Sequence, residues 1–559
     1  MSELELTHKK VRQLHDLLAD RVFAVPKLQR EFVWTGPRAA ELLDSVYRSM
    51  PIGSLLVWET GPSHYDHLRH NLSLLPLFDR KSPSGLFIID GQQRLSVLYE
   101  VLGGQTKKNS VGQDVHFGRV CFDLSPDPSE DDDPPKHFVY RKPVDARFVP
   151  VSDILAPNWK RRLRHHTQKH FGRLTECRRR IREYDVPVVV VRSKDVDEIR
   201  QVFIRINTQG MGLRGADRVF ARASAMDLRD MAHELRSGVN GDFQNIDLEV
   251  ILQGFAFVTT ERELDVGARP LEATIAWWNQ QIDHEGKQAA FLDRWKRYGI
   301  AFEKSVDLLC SKFHVYESKL LPSTNMLATL AVFFMHYRRS APTSRQLQEI
   351  RKWFWATGVG QRYSGRGFRQ NLMSDVKFFE KLGSKGTAKF HFNDLLDPAD
   401  VSRSEYGKSS AINAAFYCLL LAQNPRFIEN GEPIRYDQDK GRANRGDRHH
   451  IFPRQLLATS GLRHRDYNSI CNICLVAAEE NQRFGMRHPR SYLDEYRRRT
   501  HFKRTMVSHL IPYDEESGLW VKGAQKGYGQ FRRRRLALIC HEFERVAGIR
   551  LFRKGAELA

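Results

Sequence analysis

The sequence predicts an α+β fold in three successive parts, and three observations predict it. Strand-like apolar runs alternate with helix-like segments over residues 1–230, and helical periodicity then dominates residues 231–400. The final part, residues 401–559, carries two short strand-like segments followed by a helix or turn.

The clearest early element is Gly85-Leu86-Phe87-Ile88-Ile89-Asp90, a buried-strand run that enters a helix directly at Gly91-Gln92-Gln93-Arg94-Leu95-Ser96. The order recurs as Val186-Pro187-Val188-Val189-Val190-Val191, a helical stretch over 195–206, and the breaker Asn207-Thr208-Gln209-Gly210. Between them, Asp123 to Pro135 reads as an acidic, proline-bearing surface loop. In the middle part Trp277-Trp278, Trp295 and Trp353-Phe354-Trp355 are expected to anchor a helical core. Gln361 to Gly367 breaks that pattern with a basic, aromatic, Gly-rich loop, suited to approaching a phosphate or to turning the chain. Near the end, Asp447 to Phe452 reads as one strand and Ser469 to Val476 as a second, with Asn481 opening the next helix or turn.

Charge points to a polyanionic partner. The 559 residues hold 88 Lys and Arg against 67 Asp and Glu, a formal net charge of +21, gathered in clusters at 160–164, 178–180, 497–499 and 532–535. Any one cluster is equally explained as a solvated helix face; four together favour nucleic acid. The start of the sequence shows no cationic segment followed by an apolar run, so no secretory signal is expected. The most apolar helix candidate, Asn325 to Tyr337, is too short to span a bilayer, so no membrane partner is expected. Seven scattered cysteines fit reduced thiols in a cytoplasm. Cys471-x-x-Cys474 lacks the second close pair of a structural zinc site, so both thiols are expected to pack on the second strand.

Two constellations carry chemistry. At the first strand-to-helix turn Asp90 could cap the helix, while the free N–H groups there could hold a phosphate. Gln92 and Gln93 add amides that orient water or read a base, and Arg94 adds a cation, so a nucleotide pocket is the functional reading and a capped turn the plain one. At the C-terminal end His449-His450, Asn472 and Asn481 read as a metal-dependent phosphodiester-cleaving site. There His450 is the general base, His449 and Asn481 hold a divalent cation, Mg²⁺ or Mn²⁺, and Asn472 braces the loop that carries His450.

Asp90-Gly91-Gln92-Gln93-Arg94 resembles the DGQQR signature of the GmrS-type domain, a ParB/sulfiredoxin-like fold at the N-terminus of modification-dependent restriction enzymes. Leu28-Gln29-Arg30-Glu31-Phe32-Val33-Trp34 resembles that family's entry motif, with Leu28 where an aromatic usually precedes Gln29. Phe203-x-x-Ile206-Asn207-x-x-Gly210 resembles its second signature. His449-His450-Ile451-Phe452-Pro453 with Asn472, Asn481 and Pro489-Arg490 resembles the GmrD-type HNH nuclease domain, whose ββα-metal order the segment follows. Many HNH sites carry an acidic residue just before the base; here His449 stands there and Asp447 two positions earlier, so either is the first metal ligand.

Together the two motifs resemble the fused GmrSD group, which includes the BrxU and SspE kinds. The resemblance implies an NTP-coupled HNH endonuclease that restricts modified phage or other foreign double-stranded DNA, with GTP among the candidate nucleotides and a homo-oligomer compatible. It implies nucleotide binding at Asp90, Gly91, Gln92, Gln93, Arg94 and Asn207, catalytic use of Asp90, Gln92, Gln93 and Arg94, and DNA sensing by Gln29, Arg30 and Trp34. Two alternatives stay open: a ParB-like DNA- or nucleotide-binding protein without cleavage, and an HNH ribonuclease or toxin acting on RNA.

Overall fold

The computed structural model describes residues 3–26, 29, 32–67, 74–109, 113–125, 136–209, 220, 223, 226–239, 241–259, 268–283, 286–365, 367–435 and 447–553. Arg30 and most of the Asp123–Pro135 loop lie outside them. The chain is mixed α+β and divides into two compact units, Met1–Arg229 and Asp230–Ala559.

In the first unit the strands are β1 (Glu3–Lys10), β2 (Phe23–Ala24), β3 (Leu55–Thr60), β4 (Gly85–Asp90), β5 (Thr106–Lys108), β6 (Asp114–His116), β7 (Val120–Asp123), β8 (Phe138–Tyr140), β9 (Phe148–Pro150) and β10 (Asp185–Arg192). Five of them form the main sheet in the order β1-β10-β3-β4-β2. The Val-rich β10 fits its interior place, because β-branched side chains pack well on a pleated surface. It pairs antiparallel with β1 and parallel with β3. Helices α1 (Val11–Ala19), α2 (Gly36–Tyr47) and α3 (Gln92–Gly103) bury Leu14, Leu43, Val46, Leu95 and Leu98 in the core that also holds Val57 and Ile88. Helix α4 (Val196–Gln209) follows β10, and its Ile199 and Phe203 pack with Trp58, Phe87 and Ile89 in a second core. The expected strand over 85–90, helix from 92, strand over 186–191 and helix over 195–206 are thus all present.

The second unit is helical around α7 (Asn325–His336), whose residues Met326 to Phe333 are all buried. A helix apolar on every side belongs at the centre of a bundle. Against it pack α5 (Leu248–Thr259), α6 (Gln288–Phe313) and α9 (Phe368–Lys385). Trp278, Trp295, Trp353 and Trp355 are buried, and Trp277 is half-buried. The boundary expected at residue 400 does not separate compact units. The long C-terminal helix α12 (Ala524–Ala547) and α10 (Ala411–Ala422) both pack on α8 (Ser344–Val359), with Trp355 and Phe543 rings 5.9 Å apart, so burial joins the two parts.

The 361–367 loop turns the chain. Arg362 makes two hydrogen bonds to the buried Asp375 carboxylate, and Tyr363 donates to the same group, so both face inward. The C-terminal strands are β11 (Asp447–His450) and β12 (Ile473–Val476), antiparallel and shorter than expected, followed by the short helix α11 (Ala478–Phe484). Residues 470–472, expected as strand, form a 3₁₀ turn begun by Ser469, whose hydroxyl accepts from the N–H of Cys471. Cys471 and Cys474 are buried free thiols. Among the described residues no helix is long and apolar enough to cross a membrane.

Candidate active site

In β11 His449 pairs with Cys474 and His450 with Ile473, so alternation sends the two imidazoles to opposite faces. His449 is buried beside Phe484 and Tyr492. Its Nδ1 lies 2.8 Å from Oδ1 of Asn481 on α11, so the structure brings together these two expected metal ligands. His449 Nε2 is buried and has no partner among the described residues, so no second bond there fixes the tautomer of the ring. Among the described residues no cluster of three or more His, Cys, Asp or Glu could hold a metal. The Asp447 side chain lies outside the described residues.

His450 is half-buried, and its Nε2 is 3.0 Å from Oδ1 of Asn468. The Asn468 amide is oriented by its Nδ2 donating to the Tyr406 carbonyl. Its oxygen therefore faces His450, Nε2 carries the proton, and Nδ1 keeps a lone pair. The Tyr406 ring stands edge-on to the imidazole at 5.3 Å. Burial pushes the His450 pKa down to about 4, with the Asn468 bond opposing, so the ring is neutral near pH 7. A phosphodiester's negative charge beside it would raise it again.

Asn472 is fully buried. Its Oδ1 accepts from the Phe452 N–H, and its Nδ2 donates to the carbonyls of Phe452 and Tyr467. The side chain thus extends the β11–β12 pairing beyond the strand end and fixes the turn that follows His450. Sequence reasoning missed Asn468 and Arg535. Arg535 is fully buried and donates to the carbonyls of Cys471, Ile473, His509 and Leu510, holding the edge of β12. Burial lowers its pKa to about 10, so it remains charged.

Other members of the basic clusters are also engaged. Arg534 pairs with Asp514 and Glu516, Arg179 and Arg180 pair with Glu176, and Arg178 donates to the Ile154 and Ala156 carbonyls. The clusters are therefore poorer in free cations than their sequence suggests.

In the first unit Gly91 (φ +94°) makes the β4-to-α3 turn; a Cβ there would lie 2.4 Å from Leu55 Cδ2. No side chain caps α3, so the expected Asp90 cap is not formed. The Asp90 carboxylate instead accepts from Arg94 at 2.8 Å. Arg94 also donates to the carbonyls of Ile52 and Ser54, so its charge is met by Asp90 and it ties the 52–54 turn to α3. Gln93 Oε1 accepts from the Val33 N–H. Gln29, expected at a DNA surface, is buried with Nε2 donating to the Ile88 and Ile89 carbonyls, which makes it a brace on β4. Trp34 is half-buried under the Arg38 guanidinium. Asn207 lies in α4, its side chain outside the described residues.

Gln92 differs from its neighbours. It is 2 % exposed, and among the described residues neither amide atom has a partner; the Ser96 hydroxyl one turn on is likewise buried and unpaired there. Such groups cost about 1–3 kcal/mol each unless something bonds them. A cleft of about 670 Å³ borders the Arg94-held turn, lined by Ile52, Gly53, Ser54, Arg179, Glu183 and Tyr184 among others, and does not reach Asp90 or Gln92.

Residues 13–223 match the family model of the GmrSD restriction endonuclease, N-terminal domain. Over 544 residues the chain is 24% identical to an uncharacterized protein of Methanocaldococcus jannaschii, an alignment covering 88% of each chain.

Proposed function

We propose that this chain is a restriction-type endonuclease with a ParB/sulfiredoxin-like N-terminal unit that binds nucleotide and an HNH site that cuts DNA. The observation that carries the reading is His450, a neutral imidazole whose Nε2–H is held by Asn468 and whose Nδ1 is left to accept a proton. In this reading His450 Nδ1 takes the proton of a water as its oxygen bonds to phosphorus and a bridging P–O bond breaks, the leaving oxygen taking a proton from solvent. His449 and Asn481 would hold the divalent cation, which would supply charge compensation on the phosphate although β11 sends His449 and His450 to opposite faces. Asn472 keeps the turn after His450 in place. The substrate is modified phage or other foreign double-stranded DNA, in keeping with the GmrSD likeness of residues 13–223.

Asn468 is a positioning residue. Asn468→Asp puts a carboxylate on His450 Nε2 and favours the imidazolium, so the acid limb of the pH–rate profile should move up from about 4 toward neutrality. An unmoved limb would place the base elsewhere.

In the N-terminal unit the uncapped start of α3 and the Gln92 amide would face an NTP, with Arg94 holding the 52–54 turn beside them. Gln92→Leu should therefore weaken NTP binding and raise thermal stability, because it removes two buried atoms without partners. Lower stability with unchanged NTP affinity would make Gln92 a packing residue. Nucleotide gates cutting only if its affinity differs between restrained and competent states. A coupling of about 1–3 kcal/mol, roughly 5–150-fold, would suffice. Equal NTP affinity with and without DNA, and cleavage indifferent to NTP, would leave two independent activities.

A further inference from the structure

The second unit holds another polar cleft, of about 680 Å³, whose walls come from 319–323, 357–364, 407–417 and Arg448. None of the described residues lining it is acidic, whereas Lys319, Lys408 and Arg448 are basic and all line it. Lys408 is paired with Glu405 at 2.6 Å, so the uncompensated charge belongs to the other two. Lys319 is exposed and has no ion pair among the described residues. The Arg448 guanidinium lies 4.2 Å from the centre of the Tyr417 ring, with no carboxylate on it among the described residues.

Two further features suit an anion. The N-terminus of α10 opens on the cleft through Ser409, Ser410 and Ala411, adding its partial positive charge. Thr357, near the end of α8, lines the same cleft, is 1 % exposed, and its hydroxyl has no hydrogen-bond partner among the described residues. A buried hydroxyl in a helix ordinarily satisfies itself on a preceding carbonyl; this one is left for something else.

The cleft also leads to the candidate base. Arg448 and His450 lie on the same face of β11, two residues and roughly 6.7 Å of strand apart. Tyr406, edge-on to His450, immediately precedes Gly407 of the cleft wall. We propose that this cleft binds backbone phosphates of a nucleic-acid strand next to the bond facing His450, through Lys319, Arg448, the α10 N-terminus and the Thr357 hydroxyl. The proposal deepens the nuclease reading and rests on it for the identity of the strand.

The test uses the full chain carrying His450→Ala, so that DNA stays intact, and measures binding of a short duplex over a series of salt concentrations. Adding Lys319→Ala should reduce the salt slope by about one and the affinity about 5–10-fold at 0.1 M salt; adding Arg448→Gln as well should roughly double the loss of slope. Lys319 is exposed and unpaired, so its variant should unfold at the parent's denaturant concentration. Affinity and slope unchanged in both variants would overturn the site. So would a loss confined to NTP affinity with duplex binding intact, which would make the cleft a mononucleotide site. The nuclease reading is judged separately: wild-type chain that binds duplex with the Lys319-dependent slope, yet cuts no DNA with any divalent metal, would sink catalysis while supporting the cleft.

Discussion

Replacing His450 by alanine is expected to lower DNA cleavage by about 10²–10⁴-fold, the usual contribution of a general base. DNA binding should be nearly unchanged, because phosphate contacts and metal ligands are other side chains. The imidazole is half-buried with one hydrogen bond, to Asn468, so the truncation should be tolerated by the fold. Gel-based cleavage rates and duplex affinity measured on the same preparation check this. Cleavage at the parental rate would move proton transfer to another group, while parallel loss of binding and of the folded state would mark His450 as structural.

Arg535→Ala is expected to have the largest effect on stability. It strips the donors from four buried carbonyls, on Cys471, Ile473, His509 and Leu510. At about 1–3 kcal/mol for each unsatisfied acceptor, and allowing for the relieved cost of burying a charge, a net loss of roughly 4 kcal/mol follows. Because the Cys471 and Ile473 carbonyls belong to β12 and the turn before it, cleavage should fall together with stability. Urea unfolding of the variant is the measurement. A midpoint within error of the parent would mean that the arginine's desolvation cost cancels its bonds.

Much of the architecture was legible because it rests on local pattern. The run from Gly85 to Asp90 entering a helix at Gly91, the valines of 186–191, and the spacing of His449, His450, Asn472 and Asn481 each signal an element directly. Side-chain direction was harder to read. Four consecutive arginines at 532–535 look like a basic stripe, but at about 100° per residue they point around most of the helix, and Arg535 faces the core. The same geometry divides Arg178, turned onto backbone carbonyls, from Arg179 and Arg180, paired with Glu176.

Gln29 was expected at DNA by resemblance and Gln93 at a nucleotide by its amide, yet both bond backbone across gaps of about 60 residues. Only tertiary structure reveals such partners. Asn468 offered no motif of its own; its signal was faint, an amide four residues before Asn472 in the segment that must return to β11. Residues on either side of the expected division at 400 share one compact unit, and α12, at the far end of the sequence, buries apolar side chains on α8.

The most direct measurement is to incubate the purified chain with phage DNA, plasmid and total RNA, with Mg²⁺ present or chelated and with or without NTP. Metal-dependent cutting of DNA that leaves RNA intact is the predicted result. Degradation of RNA with DNA untouched, or cutting that persists when the metal is chelated, would contradict a His450-centred, metal-dependent DNA endonuclease.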